Sequence, residues 1–320
     1  MHDLSTEEAK IALQRESAAR IFGTGDINLR NICKALGIKA IYRDGYLSIS
    51  GSREAVEKAK AVIVRLEHEL KVSGILSDHS INAALCFPGK HDVSLELSVP
   101  GRAGRILPKT SGQEEYLRSI RDSEIVFCIG PAGTGKTFLA VASAVSSLTD
   151  GEAERIIISR PAVEAGESLG FLPGDLQQKI DPYLKPVYDA LDDTLSPERV
   201  RRSIDNRIIE VAPLAYMRGR TLNNAFVILD EAQNTTITQL KMFLTRLGYG
   251  SRAIITGDIT QIDLKPTSSS GLVLIRKILS GIKGIEFTYL DQNDVVRHPL
   301  VQRIIAAFER DSDESKEDLQ

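Results

Sequence analysis

Apolar positions along this 320-residue chain change their spacing several times, and each change predicts an element. From Leu4 to Ile21 they recur at helical intervals until Phe22-Gly-Thr-Gly-Asp26 breaks the run. Asn28 to Leu36 reads as a short amphipathic helix stopped by Gly37. Ile38–Ile41 and Tyr46–Ile49 read as strands, with Arg43-Asp-Gly45 turning between them. A long helix then opens behind Ser52, an N-cap candidate, with Ala55, Val56, Ala59, Val62, Ile63 and Leu66 on one face. From Gln113 to Ala307 the pattern becomes strands alternating with helices, which predicts a parallel sheet covered on both faces.

These changes divide the chain into four stretches. Residues 1–70 form a small α+β unit, 71–112 a connection rich in turn residues, 113–310 an α/β core, and 311–320 an acidic tail. The end of the connection, Arg102-Ala-Gly-Arg-Ile-Leu-Pro-Lys109, is locally basic and reads as solvated linker. The tail holds five acidic residues and one lysine, so the chain's net charge of −3 hides a body at +1. A near-neutral body neither requires nor excludes a nucleic-acid partner. No apolar run approaches the ~20 residues of a membrane span, and the N-terminus lacks a basic-then-apolar signal. Cys33, Cys86 and Cys128 show no metal-type spacing. The expectation is a cytoplasmic protein with reduced thiols and no membrane partner.

One junction in the core carries specific chemistry. Gly130-Pro131-Ala132-Gly133-Thr134-Gly135-Lys136-Thr137 matches the phosphate-binding pattern G-x-x-x-x-G-K-[ST] at every defined position. The glycines let backbone N–H groups curl around a phosphate, Lys136 brings a mobile positive charge, and the Thr137 hydroxyl can reach Mg²⁺. An apolar run, Glu124 to Ile129, enters the loop, and helix formers from Lys136 to Val145 leave it. Strand, loop and helix N-terminus in that order are the context the motif needs.

Hydrolysis requires more than a phosphate loop. Ala225-Phe-Val-Ile-Leu-Asp230-Glu231 is a buried strand ending in two carboxylates. Asp230 is the candidate metal carboxylate, sharing Mg²⁺ with Thr137, and Glu231 the candidate general base for water. A third strand ends in Gly257-Asp258-Ile-Thr-Gln261, where a glutamine can contact a γ-phosphate or orient water. Arg297, in Asp291-Gln-Asn-Asp-Val-Val-Arg297, is a candidate arginine finger, acting in cis or from a neighbouring subunit. Gln113 has an amide able to read the adenine edge, and no Asn-Lys-x-Asp run offers a guanine reader, so ATP is the expected nucleotide.

Taken together, residues 113–308 resemble the PhoH family, related to the first RecA-like core of superfamily 1 helicases. Ser159-Arg-Pro-Ala-Val-Glu-Ala-Gly-Glu167, Leu169-Gly-Phe-Leu-Pro-Gly174 and Arg218-Gly-Arg-Thr-Leu-Asn-Asn224 add to that resemblance. The small N-terminal unit resembles a KH-type RNA-binding domain in Ile49-Ser-Gly51 leading into Ala55-Val-Glu-Lys-Ala59. A KH domain clamps the nucleotide backbone with a G-x-x-G loop ahead of a helix, and here Gly23-Thr-Gly-Asp26 stands instead. The resemblance implies a cytoplasmic P-loop ATPase using ATP and Mg²⁺ in RNA metabolism, including ribosomal RNA maturation, with RNA and a ribonuclease or ribosome-associated protein as partners. It also places Arg160 in a loop that lies near single-stranded nucleic acid in helicases.

After Arg297 only 23 residues follow, against the ~100 or more of a second motor core, so a single core is expected. Such a core works as an oligomer, a hexameric ring among the possibilities, or through a partner. Two functions stay open: an RNA-associated ATPase, and a nucleotide-dependent switch that turns over little and docks a partner through the KH-like unit. Glu231 and Gln261 favour turnover, since a pure binder needs neither; a small-molecule kinase fits the Asp-Glu and Gly-Asp-x-x-Gln pattern poorly.

Overall fold

The computed structural model describes residues 6–74, 76, 81, 84–85, 95–161, 176–264, 267, 270–296 and 304. Two compact units emerge: residues 1–96 with 107–111, and residues 97–106 with 112–320.

In the first unit the element order is β1 (Thr6–Ala12), α1 (Arg15–Phe22), α2 (Ile27–Leu36), β2 (Lys39–Arg43), β3 (Tyr46–Ser52) and α3 (Arg53–Ser73). The helix expected from Leu4 to Ile21 exists only from Arg15 onward. Ahead of it Thr6–Ala12 is a strand, antiparallel to β3 with Ala9 opposite Ile49 and Ile11 opposite Leu47. Glu, Ala and Lys favour helix locally, but pairing on β3 satisfies the backbone while Ala9 and Ile11 pack against the core. Glu7 to Ala12 also alternate half-buried and exposed, a period of two that the helical count hides.

The sheet order is β1-β3-β2. Asp44 and Gly45, at φ 54° and 83°, form the two-residue turn joining β2 to β3, the geometry that an Asp-Gly pair favours. Ser52 caps α3 by accepting from the Ala55 N–H at 3.3 Å. Val56, Ala59, Val62, Ile63 and Leu66 are buried as their spacing predicts, closing a core with Ile21, Ile32, Leu47 and Ile49.

The second unit is built on β6 (Ile125–Ile129), β7 (Arg155–Arg160), β8 (Ile209–Pro213), β9 (Ala225–Leu229), β10 (Arg252–Gly257) and β11 (Ile285–Tyr289). All pairings are parallel and the order is β11-β6-β10-β9-β7-β8. This is the predicted α/β class. Every residue of β9 is buried, because helices cover both faces. One face (Phe127, Val227, Leu229, Ile255) packs on α8 (Ile237–Leu244) and α9 (Gly271–Leu279). α5 (Lys136–Thr149) runs against β7, β9 and β10. Cys128 lies in β6, where burial pushes its thiol well above the ordinary range and leaves it chemically quiet.

The basic stretch read as solvated linker belongs to this unit from Arg102 to Ile106 and to the first unit from Leu107 to Lys109. Leu97–Ser98 (β4) pairs with Arg105–Ile106 (β5), and the intervening turn docks on α6 (Leu176–Thr194). The Gly101 N–H donates to the Thr194 carbonyl at 2.8 Å, and Arg102 donates to the Asp193 carboxylate. Among the described residues no helix is long and apolar enough to cross a membrane.

Candidate active site

Four parallel strands deliver chemistry at their carboxyl ends, where open α/β sheets place their ligands. β6 runs into the glycine-rich loop, β7 ends on Arg160, β9 is followed by Asp230 and Glu231, and β10 ends on Gly257 with Asp258 next. A cleft of about 470 Å³ lies among them, lined by Gly133, Lys136, Thr137, Asp230, Glu231 and Gln261, with Ala132, Arg160 and Asp258 also on its walls. A larger hollow of about 1010 Å³, around Glu124, Ala225, Tyr249 and Arg252, contains neither the loop nor the paired carboxylates. Chemistry, not size, selects the smaller one.

The loop is held from several sides. Gly133 and Gly135 sit at φ 86° and 83°, a region that L-residues with a Cβ rarely enter. Gly130 donates to the Gly257 carbonyl at 3.1 Å, tying the loop to β10. Thr134 is fully buried and its hydroxyl donates to the Pro131 carbonyl at 2.9 Å. The Gln113 amide, buried on α4 (Ser111–Asp122), donates to the Thr134 carbonyl at 3.0 Å. Gln113 therefore braces the loop backbone, a contact its sequence position does not reveal. On the other side the Val296 N–H donates to the Gly133 carbonyl at 3.0 Å. Arg297, the next residue, lies outside the described residues, as do most of 159–167 and all of 169–174.

Lys136 opens α5, so its ammonium stands beside the positive end of a helix. It donates to the Gly130 and Pro131 carbonyls at 2.6 and 2.8 Å. Burial pulls its pKa below the ordinary lysine value, against the opposing pull of nearby acidic groups including Asp258, Glu231 and Asp230. Phosphate binds the ammonium form, so proton loss from the free protein weakens binding. Nucleotide affinity is therefore expected to be flat near neutral pH and to fall as pH rises through a midpoint below the ordinary lysine value. A fluorescent ATP analogue titrated across that range measures it; constant affinity up to the ordinary lysine value contradicts the assignment.

Asp230 is the hub. Its side chain is 3% exposed. Oδ1 accepts from the hydroxyls of Thr137 at 2.8 Å and Thr256 at 2.5 Å. Oδ2 accepts from Arg160 Nε at 2.8 Å, with Arg160 Nη2 2.6 Å away. Arg160 Nη2 also reaches Glu231 Oε1 at 3.3 Å, while Glu231 Oε2 accepts from the Gln233 amide at 2.7 Å. Gln233 Oε1 accepts in turn from the Asp258 N–H at 3.0 Å, and Asp258 Oδ2 holds the Gln261 amide at 3.0 Å. One continuous network thus joins Thr137, Asp230, Glu231 and Gln261. Glu231 itself sits at φ 58°, the left-handed region a glutamate rarely occupies, which stores local strain where the candidate base stands.

The donor chemistry fits Mg²⁺: Thr137 Oγ1 and Asp230 Oδ1 are hard oxygens already 2.8 Å apart and facing one cleft. Thr256 and Gln233 join the site without a motif of their own, and Arg160, noted in the sequence for another role, joins it as a partner of Asp230. Each lies at or just beyond a strand end, and that placement is the one signal that singles them out.

The comparisons with known proteins agree on the family. The model of the family described as "PhoH-like protein" matches residues 105–309. A PhoH-like protein of Synechocystis is 49% identical over 307 residues, covering 94% of each chain. One from Bacillus subtilis is 47% identical, covering 92% of this chain and 95% of its own. Protein PhoH of Escherichia coli K12 is 43% identical over 205 residues, 63% of this chain and 58% of that protein. Among solved structures, the Sulfolobus solfataricus SWI2/SNF2 ATPase core in complex with dsDNA superposes with a TM-score of 0.35 at 12% identity, covering 58% of this chain and 46% of that one. FlhF complexed with GTP and Mg²⁺ gives 0.19 at 14% identity, over 84% and 92% of the two chains. With a six-stranded parallel sheet carrying a glycine-rich phosphate loop, and a family match over most of its length, the chain belongs to the PhoH family.

Proposed function

We infer that this protein hydrolyses ATP to ADP and phosphate with Mg²⁺, and does so in RNA metabolism. The observation that carries the reading is the network from Thr137 through Asp230 and Glu231 to Gln261, which supports these residues as metal ligand, base and phosphate sensor of one cleft. Mg²⁺, held by Thr137 and Asp230, would supply charge neutralisation on the phosphates. Lys136 and the backbone from Gly130 to Thr137 bind the triphosphate. Glu231 takes the proton of the attacking water, and Gln261 orients that water or contacts the γ-phosphate. Gln113, next to the loop on α4, is the proposed adenine reader, through the same side-chain amide that braces Thr134.

The RNA association rests on the first unit. Its β-α-α-β-β-α order, and a turn of Gly23-Thr-Gly-Asp26 between α1 and α2, support the KH-like reading. In that turn Gly23, Gly25 and Asp26 all have positive φ, and Arg30 donates to the Gly25 carbonyl. The missing second glycine of G-x-x-G and the acid in its place favour weak, sequence-tolerant contact over a tight clamp. A cytoplasmic oligomer, completed by Arg297 from a neighbour, or a complex with a ribonuclease, is the setting we propose for this activity.

A second reading has its own support. Both oxygens of Glu231 are engaged, one by Arg160 and one by Gln233, which suits a switch that binds ATP and turns over slowly until released. ATP hydrolysis measured with and without single-stranded RNA separates the two. Turnover that RNA accelerates supports the ATPase; none under either condition leaves the switch.

A further inference from the structure

We propose that Arg160 is a built-in competitor of the divalent ion at Asp230, a guanidinium that occupies the carboxylate until a metal–nucleotide complex takes its place. The proposal rests on the ATP–Mg²⁺ reading of the site. Asp230 has about four acceptor positions on its two oxygens. Two on Oδ1 are taken by the Thr137 and Thr256 hydroxyls, and Oδ2 is held by Nε and Nη2 of Arg160. A metal ion that coordinates Asp230 must displace one of these donors.

The donors are not equivalent. A hydroxyl can rotate and present a lone pair to a metal, so Thr137 and Thr256 change role at little cost. Arg160 has no lone pair to present and cannot lose its proton in a protein. With its side chain 12% exposed and Asp230 at 3%, water screens the pair weakly. A divalent ion on the same carboxylate would therefore meet a full positive charge held within hydrogen-bond distance. Free metal and the Arg160 contact oppose each other.

A metal bound to a triphosphate changes the balance, because it brings anionic oxygens into the cleft that Arg160 already lines with Lys136 and Gly133. The guanidinium can leave Asp230 for a phosphate, a partner it matches equally well. Release also frees Glu231 Oε1, which Arg160 Nη2 holds at 3.3 Å. The latch thus makes the site select the metal–nucleotide complex over free metal, and keeps the base engaged until the substrate arrives. It also gives any anion able to draw Arg160 away, a nucleic-acid phosphate included, a route to the base.

Binding of Mn²⁺ to the nucleotide-free full chain, followed by the loss of its free-ion spin-resonance signal, tests the proposal without turnover. Arg160→Ala is expected to bind Mn²⁺ about tenfold or more tightly than the native chain. Arg160→Lys, which keeps charge but loses the fork, falls between, and Arg160→Ala with Asp230→Asn loses the gain. Mn²⁺ is also expected to raise the melting midpoint of Arg160→Ala by more than that of the native chain. If Arg160→Ala does not fold, Arg160→Gln, planar but uncharged, carries the same comparison. Folded, uncharged variants that bind Mn²⁺ no more tightly than the native chain overturn the latch, and so does a gain that survives Asp230→Asn. Because nucleotide is absent, this result is independent of whether the native chain hydrolyses ATP.

Discussion

Glu231→Gln is expected to lower ATP turnover by about 10²- to 10⁴-fold, the usual contribution of a positioned general base. Nucleotide affinity should stay within a few-fold of native. The substitution is nearly isosteric: its amide keeps an oxygen to accept from Gln233, and it loses the charge that draws a proton from water together with the acceptor that Arg160 Nη2 reaches at 3.3 Å. Glu231 adjoins Asp230, the proposed metal ligand, and lines the same cleft as Lys136, so the proposed function sets it at the reacting end of the triphosphate and not at the loop that binds it. Steady-state phosphate release and analogue binding, measured on the same preparation, give both halves. Turnover that survives the change intact removes Glu231 from the base role; a parallel collapse of affinity makes it a binding residue instead.

Asp230→Ala is expected to be the most destabilising single change at the site, by about 3–5 kcal/mol, the usual result of removing one member of a buried ion pair. The loss leaves Arg160, its charge mostly buried, with the more exposed Glu231 carboxylate at 3.3 Å in place of Asp230, and deprives the Thr137 and Thr256 hydroxyls of their acceptor. For a core of this size the thermal midpoint should fall by roughly 6–20 °C. Removing Arg160 as well should recover part of that, because the uncompensated charge leaves with it. Thermal melting of the two single variants and the double variant forms a complete cycle. A midpoint within a degree of native for Asp230→Ala would show that the hub carries no structural weight.

Much of this site can be read from the chain before any coordinates. The loop from Gly130 to Thr137, the Asp230-Glu231 pair and Gly257-Asp-Ile-Thr-Gln261 each combine a local pattern with a strand in front of it, and the continuous apolar runs of a sheet covered on both faces make those strand ends visible. Gln113 was legible as an amide near the site, but its use as a brace for the Thr134 carbonyl was not. Arg160 stood in the sequence as the end of a strand with a shaped loop behind it. Nothing in residues 155–160 says that its guanidinium reaches from the end of β7 to a carboxylate 70 positions later, at the end of the neighbouring β9. The strand Thr6–Ala12 was misread for a related reason: its local preference is helical, and only β3, some forty residues on, overrides it.

What the sequence determined by itself is therefore the inventory: a phosphate loop, two carboxylates, a glutamine after a third strand, and the alternation of strands and helices that folds them onto a parallel sheet. These are local facts, set by backbone freedom, side-chain type and hydrophobic period. What the tertiary structure alone decided is who meets whom. The order β11-β6-β10-β9-β7-β8 puts the ends of β6, β7, β9 and β10 side by side, though they are separated by up to about 130 residues. That adjacency lets one arginine and two threonine hydroxyls converge on Asp230. Hydrogen bonds and ion pairs act over a few ångströms, and distance in space is the one quantity that sequence spacing leaves unspecified.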